Sequence, residues 1–215
     1  MRPTTYYGPN SGAGIAIRNT RNSTQRVGVI GLGTGTLASY GRPGDYYRIY
    51  EINPLVVQVA KEEFTFLRDS KAHVDLVLGD ARLSLEREGS QQFDTLLVDA
   101  FSGDSIPVHL LTKEALEIYW RHLKPEGILA IHISNQYLDL QPVVYNLAAA
   151  SGKEALLVDT EDDKDHEIFG STWVLMLSPR FNGGPEVRMA SVPLTAGNSI
   201  RLWTDDYSNL FQILK

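Results

Sequence analysis

The chain has 215 residues, 43% of them hydrophobic, a formal net charge of −6 and no cysteine. That length fits one domain with a small appendage, and the apolar share is ample for a buried core. The acidic balance, without a dense Lys/Arg cluster, argues against a nucleic-acid surface, and the missing cysteines remove disulfides and thiolate metal sites.

No apolar run approaches the roughly 18–20 residues that span a bilayer, and residues 1–25 lack a signal-peptide core. The chain is expected to be soluble and cytoplasmic. Residues 1–25 are rich in Gly, Asn, Thr and Ser. They read as an N-terminal arm with a short strand over Gly14–Arg18, before a single domain over 26–215. Tyr6 and Tyr7 are unusual in a plain linker. Either they pack on the domain surface or the arm lies across a ligand mouth, with Tyr7 as a candidate substrate contact.

Arg26–Glu51 is the organising stretch. Val27, Val29 and Ile30 form a β-branched apolar run suited to a buried parallel strand. Gly31, Gly33 and Gly35 follow, where glycine permits a sharp turn and close ligand approach. Tyr46 to Tyr50 is the next strand. It ends at Glu51, twenty positions after Gly31, where a carboxylate can accept from both hydroxyls of a ribose. The dinucleotide fingerprint wants its third glycine at position 36, which is Thr36. The early glycine at Gly35 argues against NAD and towards the GxGxG turn of nucleosides without a pyrophosphate, chiefly S-adenosylmethionine. A turn that binds nothing is the plain alternative.

Pro54 to Phe66 reads as a helix capped by Asn53. Val74 to Leu78 is a strand ending in Gly79-Asp80-Ala81, with a short helix behind it. Thr95 to Val98 is a strand ending at Asp99. Thr112 caps an amphipathic helix to Leu123. Ile128 to Ile133 is a strand ended by Ser134 and Asn135, and Leu140 to Ala150 is a helix. Ala155 to Val158 and Thr172 to Leu177 suggest a final antiparallel pair. Residues 200–215 read as a capped terminal helix docked on the core.

Strands alternating with helices predict an α/β fold. The expectation is a Rossmann-like, doubly wound, mostly parallel seven-stranded sheet with a C-terminal antiparallel pair. Such a sheet binds its ligand beyond the carboxyl ends of its strands. Glu51, Asp80, Asp99 and Asn135 should therefore converge around the glycine turn. Any one of them can equally cap a helix; as a set they make a nucleoside site. Glu51, beside Ile52, would take the ribose. Asp80 would accept from the adenine amine, with the Ala81 N–H on a ring nitrogen. Asp99 would face the sulfonium. In the loop behind it, Asp99 and Asp104 could hold an amine nucleophile and take its proton. His73, His109, His122, His132 and His166 show no metal-ligand spacing, and no metal role is assigned. His132 reads as buried in its strand rather than catalytic.

Seven segments carry a resemblance: YYGPNSG (Tyr6 to Gly12), GLGTGT (Gly31 to Thr36), YEINP (Tyr50 to Pro54), GDAR (Gly79 to Arg82), DAFSGDSIPVHLLT (Asp99 to Thr112), HISNQYLDL (His132 to Leu140) and WTDDYSNL (Trp203 to Leu210). Through them the chain resembles the catalytic domain of spermidine/spermine synthases (aminopropyltransferases), within the class I S-adenosylmethionine-dependent methyltransferase fold. It is most similar to synthase-like domains fused to membrane transporter segments. The resemblance implies adenosyl binding by Glu51 and Asp80, with Asp99 activating the attacking amine and Asp104 as a second amine ligand. It places Asp205, Asp206 and Tyr207 near the open end of the site, where acids favour a cationic polyamine. It also implies a homodimer and attachment to a membrane segment. Authentic synthases carry an aspartate inside the glycine turn, where this chain has Thr34, and their N-terminal β-rich domain is absent or reduced to residues 1–25.

Three functions follow. The first is transfer from S-adenosylmethionine, or its decarboxylated form, to an amine with release of 5′-methylthioadenosine. The second is cleavage of S-adenosylmethionine on itself, or plain methyl transfer. The third is a non-catalytic nucleoside-sensing module.

Overall fold

The computed structural model describes residues 2–19, 24–100 and 107–215. A 3₁₀ turn at Thr5–Tyr7 leads to helix α1 (Gly12–Arg18) and strand β1 (Arg26–Ile30). A 3₁₀ turn at Thr36–Tyr40 precedes β2 (Tyr46–Glu51), α2 (Pro54–Glu62), α3 (Phe66–Asp69) and β3 (His73–Leu78). Then come α4 (Ala81–Arg87), β4 (Phe93–Val98), a 3₁₀ turn at Val108–Leu110, α5 (Lys113–His122) and β5 (Leu123–His132). The last part holds α6 (Gln141–Ala150), β6 (Glu154–Thr160), β7 (Ser171–Leu177), α7 (Pro185–Met189), β8 (Val192–Pro193) and a 3₁₀ turn at Leu210–Ile213.

The strands form one sheet in the order β3-β2-β1-β4-β5-β7-β6-β8. β1 to β5 pair in parallel, and β6, β7 and β8 join antiparallel. The mixed, mostly parallel expectation holds, with eight strands among the described residues rather than seven. The extra strand is two residues long, and Pro193 lies opposite Leu156 on the outer edge. Proline has no N–H to give a ladder, so it is tolerated at such an edge.

Alternate strand residues point to opposite faces. Leu96, Leu129 and Ile131 therefore join one apolar cluster, packed with α5 and α6. Leu97, Ala130 and Trp173 join the other, packed with α1. Local caps behave as the sequence suggests. The side chains of Asn53, Asp80 and Thr112 accept from Leu55, Leu83 and Ala115 N–H groups. Among the described residues, no helix is long and apolar enough to cross a membrane.

Two expectations are corrected. Gly14–Arg18 is not a strand but part of α1, and residues 12–17 are all buried. A Cβ at Gly12 would meet Trp173 Cβ at 2.3 Å, and one at Gly14 would meet the Gly8 carbonyl at 2.5 Å. The glycines let this helix lie directly on β7, and burying Ile15 and Ile17 contributes about 1.5–3 kcal/mol each. The chain end is also not a docked α-helix. Leu138 bridges Leu214, Asp139 N–H donates to Ile213 O, and Lys215 N–H donates to Tyr137 O. This pairing uses the backbone groups a helix needs, so one 3₁₀ turn remains, with Ile213 buried and Phe211 86% exposed.

The parallel register sets Ile30 beside Tyr50 and Val98, and Val98 beside Ile131. Gly31, Glu51, Asp99 and His132, one residue further on, therefore share one edge. Gly31 has φ +99°, and a Cβ there would lie 2.1 Å from the Asp99 carbonyl oxygen. Gly31→Ala should destabilise the fold by about 2–4 kcal/mol. At about 2–4 °C per kcal/mol this is a fall in Tm of roughly 4–16 °C, read by circular dichroism. An unchanged Tm would show that the turn yields without cost.

Candidate functional site

A cavity of about 580 Å³ opens at that edge. Its wall includes Tyr6, Tyr7, Gly31, Gly33, Glu51, Ile52, Asp80, Ala81, Asp99, His109, His132 and Ser134. Gly31 and Gly33 both have positive φ, and the bare backbone there forms a cradle that side chains would fill. Gly35 is not in the wall. At φ +83° it caps the Thr36–Tyr40 turn, and a Cβ would press on Leu67 at 3.0 Å.

Glu51 is 9% exposed. Its Oε2 accepts from Leu32 N–H at 3.0 Å and its Oε1 from Asn53 N–H at 2.8 Å. Each oxygen keeps a lone pair, so the carboxylate is aimed and can still accept from a diol. Asp80 spends Oδ1 on the α4 cap, from Leu83 N–H at 2.9 Å, and Oδ2 lies 3.0 Å from His109 Nε2. Ala81 opens α4, where a backbone N–H has no partner inside the helix.

The Asp99 side chain is only 5% exposed. Tyr7 Oη donates to Oδ2 at 2.5 Å, and His132 Nδ1 is 2.7 Å from Oδ1. His132 Nε2 is 2.8 Å from Ser134 Oγ, which also accepts from Thr172 N–H at 2.8 Å. The imidazole is stacked between Tyr6, centroids 5.1 Å apart, and Trp173, 4.6 Å. Tyr40 Oη donates to Tyr7 O at 2.6 Å and anchors the N-terminal turn. Burial first, then the Asp99 charge, pushes the Tyr7 hydroxyl well above its usual value, and Tyr6 is raised for the same two reasons. Both phenols therefore stay protonated, and Tyr7 donates to Asp99.

Tyr6 and Tyr7 thus stand in the cavity wall and also pack against the apolar cluster that holds α1. The other residues divide. Asp104 falls at 101–106, outside the described residues. Asn135 does not reach the cavity wall; its Oδ1 accepts from Tyr137 and Leu138 N–H groups and braces the next loop. Asp205, Asp206 and Tyr207 are not in the wall either. Asp205 is tied to both guanidinium nitrogens of Arg82 and accepts from Thr112 Oγ1 at 2.8 Å. Arg82 holds its carboxyl below the usual range. Tyr207 lies under the Arg201 guanidinium, 4.2 Å from the ring centre.

Reading the sequence missed His109, His132 and Ser134. A signal for the last two existed: they stand at a strand's carboxyl end, the rule that picks Glu51 and Asp99. Among the described residues, no three His, Asp or Glu side chains gather as a metal ion would require.

No protein-family model matches the chain. Polyamine aminopropyltransferase of Vibrio vulnificus (strain CMCP6) is 37% identical over 110 residues, covering 49% of this chain and 36% of that protein. A probable spermidine synthase from Corynebacterium glutamicum ATCC 13032 superposes with a TM-score of 0.59 at 21% identity, over 76% of this chain and 60% of that one. Human methyltransferase-like protein 13, solved in complex with SAH, gives 0.60 at 18% identity, over 82% of this chain and 85% of that one. The chain spans about a third of the length of the curated aminopropyltransferase it matches. It is spermidine synthase-like in sequence over about half its length, and its fold is that of the class I methyltransferases.

If Asp205 is a brace and no part of the ligand site, Asp205→Asn should leave affinity for adenosyl ligands within about twofold. It should cost about 0.5–1 kcal/mol of stability at neutral pH, the range of exposed pairs. The lowered carboxyl favours the fold above its unfolded value near 3.9. That gain is lost as pH falls through the folded value, so the stability curves of wild type and variant should converge below about pH 4. Calorimetry and denaturant titration read both; a tenfold loss of affinity would return Asp205 to the site.

Proposed function

We propose that the chain is an alkyltransferase acting on an adenosyl sulfonium, of the aminopropyltransferase kind, with an amine as acceptor and 5′-methylthioadenosine as product. The observation that carries this is Asp99. It is a carboxylate in the cavity wall, almost wholly enclosed, with one fixed donor on each oxygen. Such a group suits a cation, since its remaining lone pairs can accept from a donor brought in by a ligand.

Glu51 takes the ribose hydroxyls. Asp80 and the Ala81 N–H receive the adenine edge, the amine sharing Asp80 with His109. Gly31 and Gly33 let the nucleoside lie against the backbone. Asp99, with Asp104 as a second ligand, holds the acceptor ammonium beside the carbon attached to sulfur. Once neutral, the amine forms its C–N bond to that carbon. The C–S bond breaks with its electron pair on sulfur, and the positive charge passes to the alkylated nitrogen as neutral methylthioadenosine leaves. Positioning and removal of the amine proton supply the rate.

A second reading has its own observation. Thr34 stands in the glycine turn, its Oγ1 2.8 Å from Thr36 Oγ1, and offers no negative charge to a donor's free amine. Intact S-adenosylmethionine then becomes a donor candidate, for methyl transfer or for cleavage by its own carboxylate.

One experiment separates these. The protein is incubated with S-adenosylmethionine or its decarboxylated form, with and without putrescine, and nucleosides are identified by mass spectrometry. Methylthioadenosine from the decarboxylated donor plus amine is the expected product. From intact donor without amine it would mean self-cleavage, S-adenosylhomocysteine would mean methyl transfer, and binding without product would mean a sensing module. Asp99→Asn should lower turnover by about 10²–10⁴-fold with nucleoside affinity kept. Glu51→Gln should weaken that affinity by about tenfold, the cost of one charged hydrogen bond.

A further inference from the structure

Asp99 is half of a larger arrangement. A carboxylate only accepts, so the 2.7 Å contact to His132 Nδ1 requires the ring proton on Nδ1. The neutral imidazole then presents a bare Nε2 to Ser134 Oγ at 2.8 Å. Ser134 Oγ already accepts the Thr172 N–H, so its own hydrogen is the one available for Nε2. That leaves Ser134, a cavity-wall residue, with one free lone pair. The order is hydroxyl, base, orienting carboxylate, the pattern that moves protons in activated hydroxyl systems.

We propose that the proton leaving the acceptor amine ends on His132, delivered through the Ser134 hydroxyl, while Asp99 orients the ring and balances the imidazolium. This rests on the transfer reading above. The ammonium gives one proton to Ser134 Oγ as the Ser134 hydroxyl proton passes to Nε2. One N–H bond breaks, one forms, and the hydroxyl is regenerated. The neutral amine attacks, and the imidazolium later returns its proton to water. Among the described residues, the groups facing the ring include Asp99 at Nδ1, Ser134 at Nε2, Tyr6 and Trp173 stacked on it, and Tyr7 one bond further out on Asp99. The one full charge in this set is the Asp99 carboxylate.

The test uses the whole chain, with the donor and amine that give most product, and measures kcat, KM and nucleoside Kd from about pH 5.5 to 9. Wild-type kcat should rise with pH through one ionisation. His132→Gln should lower kcat by about 10²–10⁴-fold and abolish that rise, with nucleoside Kd and amine KM within about threefold. Ser134→Ala, a smaller change that carries the kinetic test should His132→Gln misfold, should lower kcat at least tenfold and leave both constants alone. Wild-type kcat and pH profile in both variants, with Asp99→Asn inactive, would overturn the inference and leave Asp99 as proton acceptor. Nitrogen-15 NMR of histidine-labelled protein decides the same point without turnover: the neutral His132 ring must carry its proton on Nδ1, and a proton on Nε2 overturns the relay. A wild-type chain that binds nucleoside but alkylates no amine overturns the transfer reading instead, and the ring tautomer then decides the relay alone.

Discussion

Among the described glycines, Gly31 is held tightest, against the backbone of Asp99. Strands β1 and β4 run side by side, and the ladder continues one residue past both, with Asp99 N–H on Ile30 O at 2.8 Å and Gly31 N–H on Tyr50 O at 2.9 Å. The chain then turns over the Asp99 carbonyl with no room for a Cβ. The glycine cradle and the Asp99 carboxylate are two sides of one contact. Whatever lies against the cradle lies next to that charge.

Around this contact each acid is anchored by hydrogen bonds that also offset its burial. Leu32 and Asn53 hold Glu51, Leu83 and His109 hold Asp80, and Tyr7 and His132 hold Asp99. Fixed groups of this kind need no reordering when a ligand arrives, which is how a site converts binding into rate. The N-terminal segment is part of the design. Through Tyr6, Tyr7 and α1 it closes the cavity wall and covers β7, so removing it would strip both the Asp99 donor and one layer of the core.

The fold itself is shared by proteins that transfer a methyl group and by proteins that transfer an aminopropyl group, and so does not choose between them. The two reactions break different bonds at one sulfur. In the proposed reading the choice lies in what stands beside the sulfonium, where Asp99 would supply an acid and Thr34 supplies no charge. The similarity to an aminopropyltransferase covers 49% of the chain.

The sequence by itself determined what neighbours in the chain can determine. β-Branched runs, a glycine turn and side-chain caps at Asn53, Asp80 and Thr112 are local physics, and they placed the parallel strands and the acids at their carboxyl ends. It could not reveal α1. A segment of Gly, Ala and Ile reads as irregular until β7 is seen to press on the Gly12 backbone. Nor could it show the short eighth strand, the chain end paired with residues 137–139, or Asp205 turned to Arg82. His132 was legible as buried but not as the partner of Asp99, and Tyr7 and Asp99 meet across 92 positions of sequence. Periodicity and turn chemistry report which backbone each residue prefers. Which donor satisfies which buried carboxylate depends on how distant elements stack, and only the tertiary structure decided that.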